Sequence, residues 1–140
     1  MTEANRAAEF NRRQQGTLPG GLGIAWDEVA QGRAAGRFTA TKGHMAPNGF
    51  LHAASVIALV DTACGYGCVA SLPEGATGFT TVELKTNFLG TAKPGDVVAC
   101  AARLAHAGRT TQVWDAEAVN ETSGRTMALF RCTQLVLYPR

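Results

Sequence analysis

The sequence predicts an α+β fold in which an antiparallel sheet of five to six strands wraps around one long central helix. Residues 53–72 carry small or apolar side chains at nearly every position, and nothing interrupts a helix before Pro73. A helix that is apolar on every side is expected to be buried on every side. After Pro73 the hydrophobic period changes from helical to alternating, which predicts strands that cover the helix.

Four consecutive segments after the helix have the length and spacing of strands joined by turns. They are residues 80–89, 97–106, 110–120 and 125–138. We expect an antiparallel meander of these four strands, with two earlier strands, 22–29 and 32–41, joining its edge. Alternation in the first segment places Thr80, Val82, Leu84, Thr86 and Phe88 on one face and Thr81, Glu83, Lys85 and Asn87 on the other.

We expect residues 1–140 to form a single domain with an N-terminal extension at 1–17. A short polar helix is predicted within residues 2–15, with Phe10 as its anchor, before a break at Leu18-Pro19-Gly20-Gly21. Residues 42–49 form a loop that leads to the start of the central helix. Such a loop is a natural place for a functional site.

Composition and charge argue against nucleic-acid binding and membrane insertion. The net charge is +2, and the 13 lysines and arginines are scattered rather than gathered in a basic stripe. The N-terminus lacks the apolar core of a secretory signal, and His52 and Asp61 interrupt apolar runs that are shorter than the roughly 20 residues needed to span a bilayer. We therefore expect a cytoplasmic protein with no nucleic-acid or membrane partner.

No metal or cofactor is predicted. Cys64, Cys68, Cys100 and Cys132 lie among apolar neighbours without the paired spacing of zinc ligands, so reduced core thiols are expected. Neither a phosphate-binding loop nor a dinucleotide fingerprint is found in the sequence.

The functional prediction begins with Asp61, the one acid inside the apolar helix, and with His52 nine residues before it at the helix start. A buried acid of this kind is either held by a structural hydrogen bond or kept for chemistry. The residues alone leave both roles open.

These residues resemble a known family. The run Asn48-Gly49-Phe50-Leu51-His52-Ala53-Ala54, followed by Asp61-Thr62-Ala63, is similar to the Asn, His-Gly-Gly and Asp-Thr-Ala signature of phenylacetic-acid-degradation-type (PaaI-like) acyl-CoA thioesterases. Residues 88–96 and 106–110 resemble two turn elements of the same family. The resemblance implies the hotdog fold, a long helix wrapped by an antiparallel sheet.

The chain departs from the family pattern at two places. His-Gly-Gly is His52-Ala53-Ala54 here, which keeps the backbone N–H of residue 53 but adds a methyl group. The family asparagine usually lies six residues before the histidine, where this chain has Ala46, and Asn48 lies four before it.

The resemblance implies hydrolysis of an acyl-CoA thioester carrying an aryl-acetyl or medium-chain acyl group, with coenzyme A as part of the substrate. Asp61 would act as general base or nucleophile, and the N–H of Ala53 at the helix N-terminus would be the oxyanion donor. In the family the acid of one subunit faces the helix start of its partner. We therefore expect a homodimer or homotetramer with sites shared between subunits.

Further residues receive roles with structural alternatives left open. His52 either participates directly or orients the Asn48 loop, and Thr81 either holds the attacking water or is an ordinary strand threonine. Arg109 either meets a coenzyme A phosphate or is a solvated turn residue. Residues expected to contact substrate or coenzyme A are Arg109, Thr110, Gly49 and Lys85.

Two other functions compete with thioester hydrolysis. A hydratase or dehydratase of acyl thioesters shares the fold, but its signature histidine arrangement is not visible in this sequence. A non-catalytic acyl-CoA-binding protein is the third possibility.

Overall fold

The computed structural model describes residues 4–140 and shows one six-stranded antiparallel sheet packed against one long helix within that range. The strands are β1 Ala25–Ala30, β2 Arg33–Thr39, β3 Gly78–Phe88, β4 Val97–Ala107, β5 Thr111–Asn120 and β6 Arg125–Leu137. The helices are α1 Ala7–Arg13, α2 Leu18–Gly21 and α3 Ala53–Ala70, with a 3₁₀ turn at Lys42–His44. The predicted α+β class, the strand number and the central helix are confirmed.

The strand order is β1-β2-β4-β5-β6-β3, so the predicted meander of four consecutive strands is wrong. Strands β4, β5 and β6 do form a meander, and β1-β2 joins its edge as expected, but β3 lies on the far edge and pairs with β6. The turn before β4 explains the difference. Its Gly95 N–H donates to Ala40 O and its Asp96 O accepts from Ala40 N–H, each at 2.8 Å. These bonds place the start of β4 beside β2 and away from β3.

A β-bulge at Val82 changes which side chains of β3 face the helix. Thr81 lies opposite Gln134 and Leu84 opposite Cys132, and both β6 partners are fully buried. Glu83 lies opposite Thr133 on the outer face. The predicted alternation, which put Thr81 on the same face as Glu83, is therefore wrong, because a bulge inserts one residue and reverses the faces before it.

Helix α3 packs against all six strands, but one side of it is only partly covered. Ile57, Ala58, Asp61 and Thr62 are half-buried, so the prediction of burial on every side is wrong for this chain alone. By length and composition, with a mean hydropathy of 1.5, α3 could also cross a membrane. Its packing within the sheet accounts for that hydropathy.

The N-terminal segment packs over α3. Helix α1 buries Phe10 against Tyr66, with ring centroids 4.4 Å apart, which confirms Phe10 as the anchor. The predicted break at Leu18-Pro19-Gly20-Gly21 is instead the short helix α2. Pro19 lies in its first turn, where proline is well tolerated.

Two glycines inside α3 mark close contacts with aromatic rings. A Cβ added at Gly65 would lie 2.9 Å from the Phe79 ring, and one at Gly67 would lie 2.5 Å from the Trp114 ring. Trp114 is fully buried and its Nε1–H donates to Gln112 Oε1 at 2.8 Å, which limits its movement. The glycines let the helix approach the sheet.

We therefore expect Gly67→Ala to destabilise the fold although alanine favours helix. The helical preference contributes about 0.5–1 kcal/mol, whereas overpacking a rigid core costs about 1–3 kcal/mol. Chemical denaturation should show a lower free energy of unfolding. Gly78→Ala is the control, because no heavy atom lies within 4 Å of its added Cβ. Unchanged or increased stability of Gly67→Ala would contradict this account of the packing.

Candidate active site

His52 caps the N-terminus of α3. Its Nδ1 accepts a hydrogen bond from the Ala54 N–H at 2.9 Å, and its backbone N–H donates to His44 O at 3.0 Å. Because Nδ1 is an acceptor, the neutral ring of this exposed residue carries its proton on Nε2. Its structural role at the helix start is therefore visible in this chain.

His44, which received no role from the sequence, holds the loop in front of the helix. Its buried ring accepts from Thr41 N–H at 3.0 Å through Nδ1 and donates to Leu22 O at 2.6 Å through Nε2. The ring also stacks on Phe38 with centroids 4.5 Å apart. This anchoring fixes the direction in which α3 begins.

The backbone N–H of Ala53 is available for a ligand. Ala53 is the first residue of α3, where an amide has no acceptor within the helix, and none of residues 4–140 accepts its hydrogen. The residue is exposed and lines a cavity of about 450 Å³ with Phe50, Val56 and Phe88. Helix α3 has 18 residues, and the dipole of such a helix favours negative charge at its N-terminus, where Ala53 lies.

Asn48 and Gly49 shape the loop before the helix and do not approach Asp61. The Asn48 side chain accepts from the Phe50 N–H at 3.2 Å, which closes a local turn. Gly49 has a φ of 90°, a left-handed conformation that favours glycine. Both residues are exposed beside the helix start.

Asp61 lies in the middle of α3 with one carboxylate oxygen buried. Oδ1 has no hydrogen-bond partner among the described residues, 4–140. Desolvation by burial raises the pKa of the Asp61 carboxyl above its ordinary value of 3.8. A structural acid would normally be paired, so the unpaired oxygen favours a chemical role.

Asp61 opens onto a second cavity of about 450 Å³ between α3, β3 and the N-terminal segment. Aromatic rings of Phe10, Tyr66 and Phe79 line it, with Arg13 and Gln14 at the N-terminal side. The Tyr66 hydroxyl donates to Gln14 Oε1 at 3.1 Å. Apart from Phe10 as a helix anchor, the sequence analysis did not single out these residues, because they come from three segments that only the fold brings together.

We expect the rate of any reaction that needs ionised Asp61 to rise with pH through the raised pKa of this carboxyl. The protonated acid is neither base nor nucleophile, so kcat/KM should fall on the acid side, with a midpoint above 3.8. A pH–rate profile measures this, with tryptophan fluorescence at each pH to identify acid unfolding. A midpoint at or below 3.8 would contradict the desolvated environment.

Thr81 faces the helix, and its hydroxyl donates to Gln134 Oε1 at 2.6 Å. The level of Thr81 along α3 follows from two contacts. Phe79 packs against Gly65, and at the other end of β3 Phe88 shares a cavity with Ala53. Strand β3 thus runs antiparallel to α3, and Thr81 falls opposite the helical turn that carries Asp61.

The sequence analysis did not identify Gln134. A signal for it was present, because Gln134 occupies the apolar phase of an alternating strand, in the same row as Phe130, Cys132 and Val136. A polar residue at such a position is unusual and merits a functional explanation.

The residues expected to contact substrate are dispersed in the single chain. Arg109 and Thr110 lie in the β4–β5 turn, where Arg109 is 5.8 Å from the Tyr138 ring centroid. Gly49 lies at the helix start. Lys85 lies opposite Arg131 in the register of β3 and β6, on the sheet face turned away from α3. No group of three or more metal-ligating side chains occurs among residues 4–140.

One chain cannot place Asp61 and the Ala53 N–H on the same substrate atom. Eight residues of α3 separate them, a rise of about 12 Å. An attacking group and an oxyanion donor must both lie within roughly 3 Å of the reacting centre. The two functional groups also open onto different cavities.

Comparison with known proteins identifies the family of this chain. The family model described as the thioesterase superfamily matches residues 48–127, a segment that includes Asn48, His52, Asp61 and Thr81. This match covers more than half of the chain.

Individual relatives show the same class. The chain is 30% identical to 1,4-dihydroxy-2-naphthoyl-CoA hydrolase of Listeria monocytogenes serotype 1/2a (strain 10403S), over 80% of this chain and 89% of that protein. It is also 30% identical to acyl-coenzyme A thioesterase PaaI of Escherichia coli (strain K12), over 79% of this chain and 75% of that protein. The solved structure of E. coli PaaI superimposes with a TM-score of 0.82 at 25% identity, covering 95% of each chain.

The chain therefore belongs to the thioesterase superfamily and has its hotdog fold. Within that superfamily it is a PaaI-like thioesterase, an enzyme that hydrolyses thioesters. The resemblance inferred from the sequence is confirmed.

Proposed function

We propose that this protein hydrolyses an acyl-CoA thioester to a free acid and coenzyme A, with Asp61 as base or nucleophile. In the base route, a water oxygen bonds to the thioester carbon and its proton passes to Asp61. The carbon–sulfur bond then breaks, and the departing thiolate takes up a proton. The backbone N–H of Ala53 would stabilise the negative charge that forms on the carbonyl oxygen.

The observation that carries this proposal is the unpaired, partly buried carboxylate of Asp61 beside a ligand-sized cavity. Burial raises the pKa of the Asp61 carboxyl, which makes its carboxylate a stronger base than that of an exposed aspartate.

The cavity lining favours an aryl-acetyl over a medium-chain acyl group. The rings of Phe10, Tyr66 and Phe79 provide flat apolar surfaces against which an aromatic ring can pack. Relatives named for naphthoyl-CoA hydrolysis and acyl-CoA hydrolysis support a coenzyme A thioester as the substrate class.

The separation of Asp61 from Ala53 supports an active site built by two subunits, with Asp61 from one and the N–H of Ala53 from the other. The half-buried side of α3 and the exposed apolar residues of edge strand β3 offer the surface for such a partner. These β3 residues are Val82, Leu84 and Phe88, which are 58%, 40% and 46% exposed. Edge strands with apolar side chains are sites of pairing between chains.

We extend the proposal to a homodimer, or a homotetramer made of two such dimers, working in the cytoplasm without metal, cofactor, nucleic acid or membrane. Coenzyme A would be held by Arg109, Thr110, Gly49 and Lys85, which are dispersed in one chain and would have to be contributed by two. His52 and Asn48 would position the helix start.

A panel of acyl-CoAs assayed for free thiol tests this function. We expect thiol release from aryl-acetyl-CoA with a higher kcat/KM than from a medium-chain acyl-CoA, and no loss of rate in the presence of a chelator. Hydration of an enoyl-CoA without thiol release would support the hydratase alternative. Saturable binding of acyl-CoA with no turnover would indicate a non-catalytic binding protein.

A further inference from the structure

Gln134 is a fully buried amide in the middle of β6, and its side chain faces α3. Its neighbours in the same row are apolar, namely Phe130, Cys132 and Val136. Placing an amide in such surroundings carries a desolvation cost unless both its ends are hydrogen-bonded. A buried amide at position 134 therefore requires an explanation.

Only one end of the Gln134 amide is bonded. Oε1 accepts the Thr81 hydroxyl at 2.6 Å, a short hydrogen bond for this pair of groups. Nε2 is buried and has no partner within residues 4–140. The Gln134 amide thus accepts a hydrogen bond from Thr81 but has no acceptor for its own N–H groups. An unsatisfied buried donor lowers stability, so a contribution to stability does not explain this residue.

Gln112 provides a direct contrast. It lies opposite Gln134 on strand β5 and is almost fully buried, with 1% exposure. Both of its ends are bonded, because Nε2 donates to Ser71 O at 2.9 Å and Oε1 accepts from Trp114 Nε1 at 2.8 Å. Gln112 is therefore a structural amide by the criterion that Gln134 fails.

We propose that Gln134 is a positioning residue for catalysis, which fixes the Thr81 hydroxyl as a hydrogen-bond acceptor toward the attacking water. A hydroxyl has one hydrogen and two acceptor lone pairs. The Thr81 hydroxyl donates its hydrogen to Gln134. A water molecule that bonds to Thr81 must therefore be the donor, with the Thr81 oxygen as acceptor. The inference rests on the proposed function, and it assigns Gln134 a role that acts through Thr81.

The chemical consequence is control of the direction of attack. A water that donates one hydrogen to Thr81 and the other to the Asp61 carboxylate keeps a lone pair directed at the thioester carbon. Without Gln134 the Thr81 hydroxyl is free to rotate and donate to Asp61 itself. It would then occupy the base and displace the water. This arrangement belongs to the base route, in which Asp61 remains a free carboxylate.

A double-mutant cycle tests the inference, using Gln134→Met, Thr81→Val and the variant that combines them. Methionine keeps the approximate length of the side chain without the amide and leaves only a weakly accepting sulfur, and valine keeps the shape of threonine without the hydroxyl. We expect Gln134→Met to lower kcat about tenfold with KM little changed, within the roughly hundredfold that misplacing a reacting group can cost. The combined variant should be no slower than Thr81→Val, because Gln134 acts only through that hydroxyl.

Three further variants separate positioning from packing. Gln112→Met should lower the melting temperature and leave kcat of the folded enzyme unchanged. Thr81→Ser keeps the hydroxyl and should retain most activity. Gln134→Leu is measured with Gln134→Met, so that a packing defect of one side chain is recognised, and both should lower kcat.

Each result bears on the inference. Full kcat in the two Gln134 variants would overturn the role proposed for Gln134, and so would losses that multiply in the combined variant. The proposed function would stand in both cases if the wild type is active. A Gln112→Met variant with the same loss of kcat would also overturn the role proposed for Gln134, by showing a general effect of core amides. A wild type that releases no thiol from any acyl-CoA would overturn the proposed function and this inference together.

Discussion

Asp61→Asn should abolish thioester hydrolysis, with kcat lower by about two orders of magnitude or more. Asparagine keeps the volume of aspartate and can hydrogen-bond, so α3 should pack as before. Its amide is neither a base nor a nucleophile at neutral pH. Release of free thiol from the best acyl-CoA of the panel measures the loss, and binding of the same acyl-CoA should be nearly unchanged.

The stability of the same variant separates a catalytic from a structural acid. Burial raises the pKa of Asp61, so the folded state disfavours the ionised carboxylate, and that penalty is present above the folded-state pKa. Removing the charge should leave the melting temperature at pH 7 unchanged or higher. The gain should shrink as the pH falls through the raised pKa, because the wild-type acid then becomes neutral. An acid held by structural bonds would instead lose stability on replacement.

Asp27→Asn is the matched control. Asp27 is exposed on β1, where Arg37 donates to its carboxylate at 3.0 Å, and it does not line the Asp61 cavity. This exchange should leave kcat unchanged. If Asp61→Asn keeps more than about a tenth of the wild-type turnover, well above what loss of a base or nucleophile permits, the mechanism proposed for Asp61 is wrong.

The sequence was sufficient for the parts of the fold that follow from local pattern. The start of α3 at Ala53, the six strands and the loop with its cap all depend on period, turn residues and chain-breaking residues. The class of enzyme followed from the resemblance of residues 48–54 and 61–63 to the signature of PaaI-like thioesterases. These features are encoded within short stretches of chain.

Strand order could not be predicted in the same way. Neighbouring strands usually pair, so β3 was expected beside β4. The choice depended on Ala40, whose backbone bonds to the turn at Gly95 and Asp96 draw β4 to β2. Such a contact joins residues far apart in sequence and leaves no local pattern.

The face of Thr81 was hidden by a single residue. The alternation of β3 is regular in sequence, but the bulge at Val82 reverses the faces before it and turns Thr81 toward the helix. The partnership of Thr81 with Gln134 spans two strands and could not be read from either one. The two positions for which we propose a function thus depart from the pattern that defines the rest of each strand, as is common at sites.

The last prediction concerns the oxyanion donor. Ala53→Pro removes one N–H at the first position of α3, where proline is well tolerated because that amide has no helical acceptor. His52 before it is extended, with φ −64° and ψ 133°, as a residue preceding proline must be. We expect kcat to fall by about a hundredfold to a thousandfold with the fold intact. Ala53→Gly, which keeps the N–H, should remain active.

Mixing the two inactive variants tests whether the site is shared between subunits. In a mixed dimer the Ala53→Pro chain supplies Asp61 and the Asp61→Asn chain supplies the N–H of residue 53, so one of the two sites is complete. After dissociation and reassociation in equal amounts, about a quarter of wild-type activity should return, because roughly half of the dimers are mixed.

Each variant reassociated alone is the control and should stay inactive. No recovery in mixtures that native mass spectrometry shows to contain mixed dimers, or a monomeric mass by light scattering for the active wild type, would mean that each chain completes its own site. The separation of about 12 Å along α3 makes that outcome incompatible with Asp61 and the Ala53 N–H acting on one thioester.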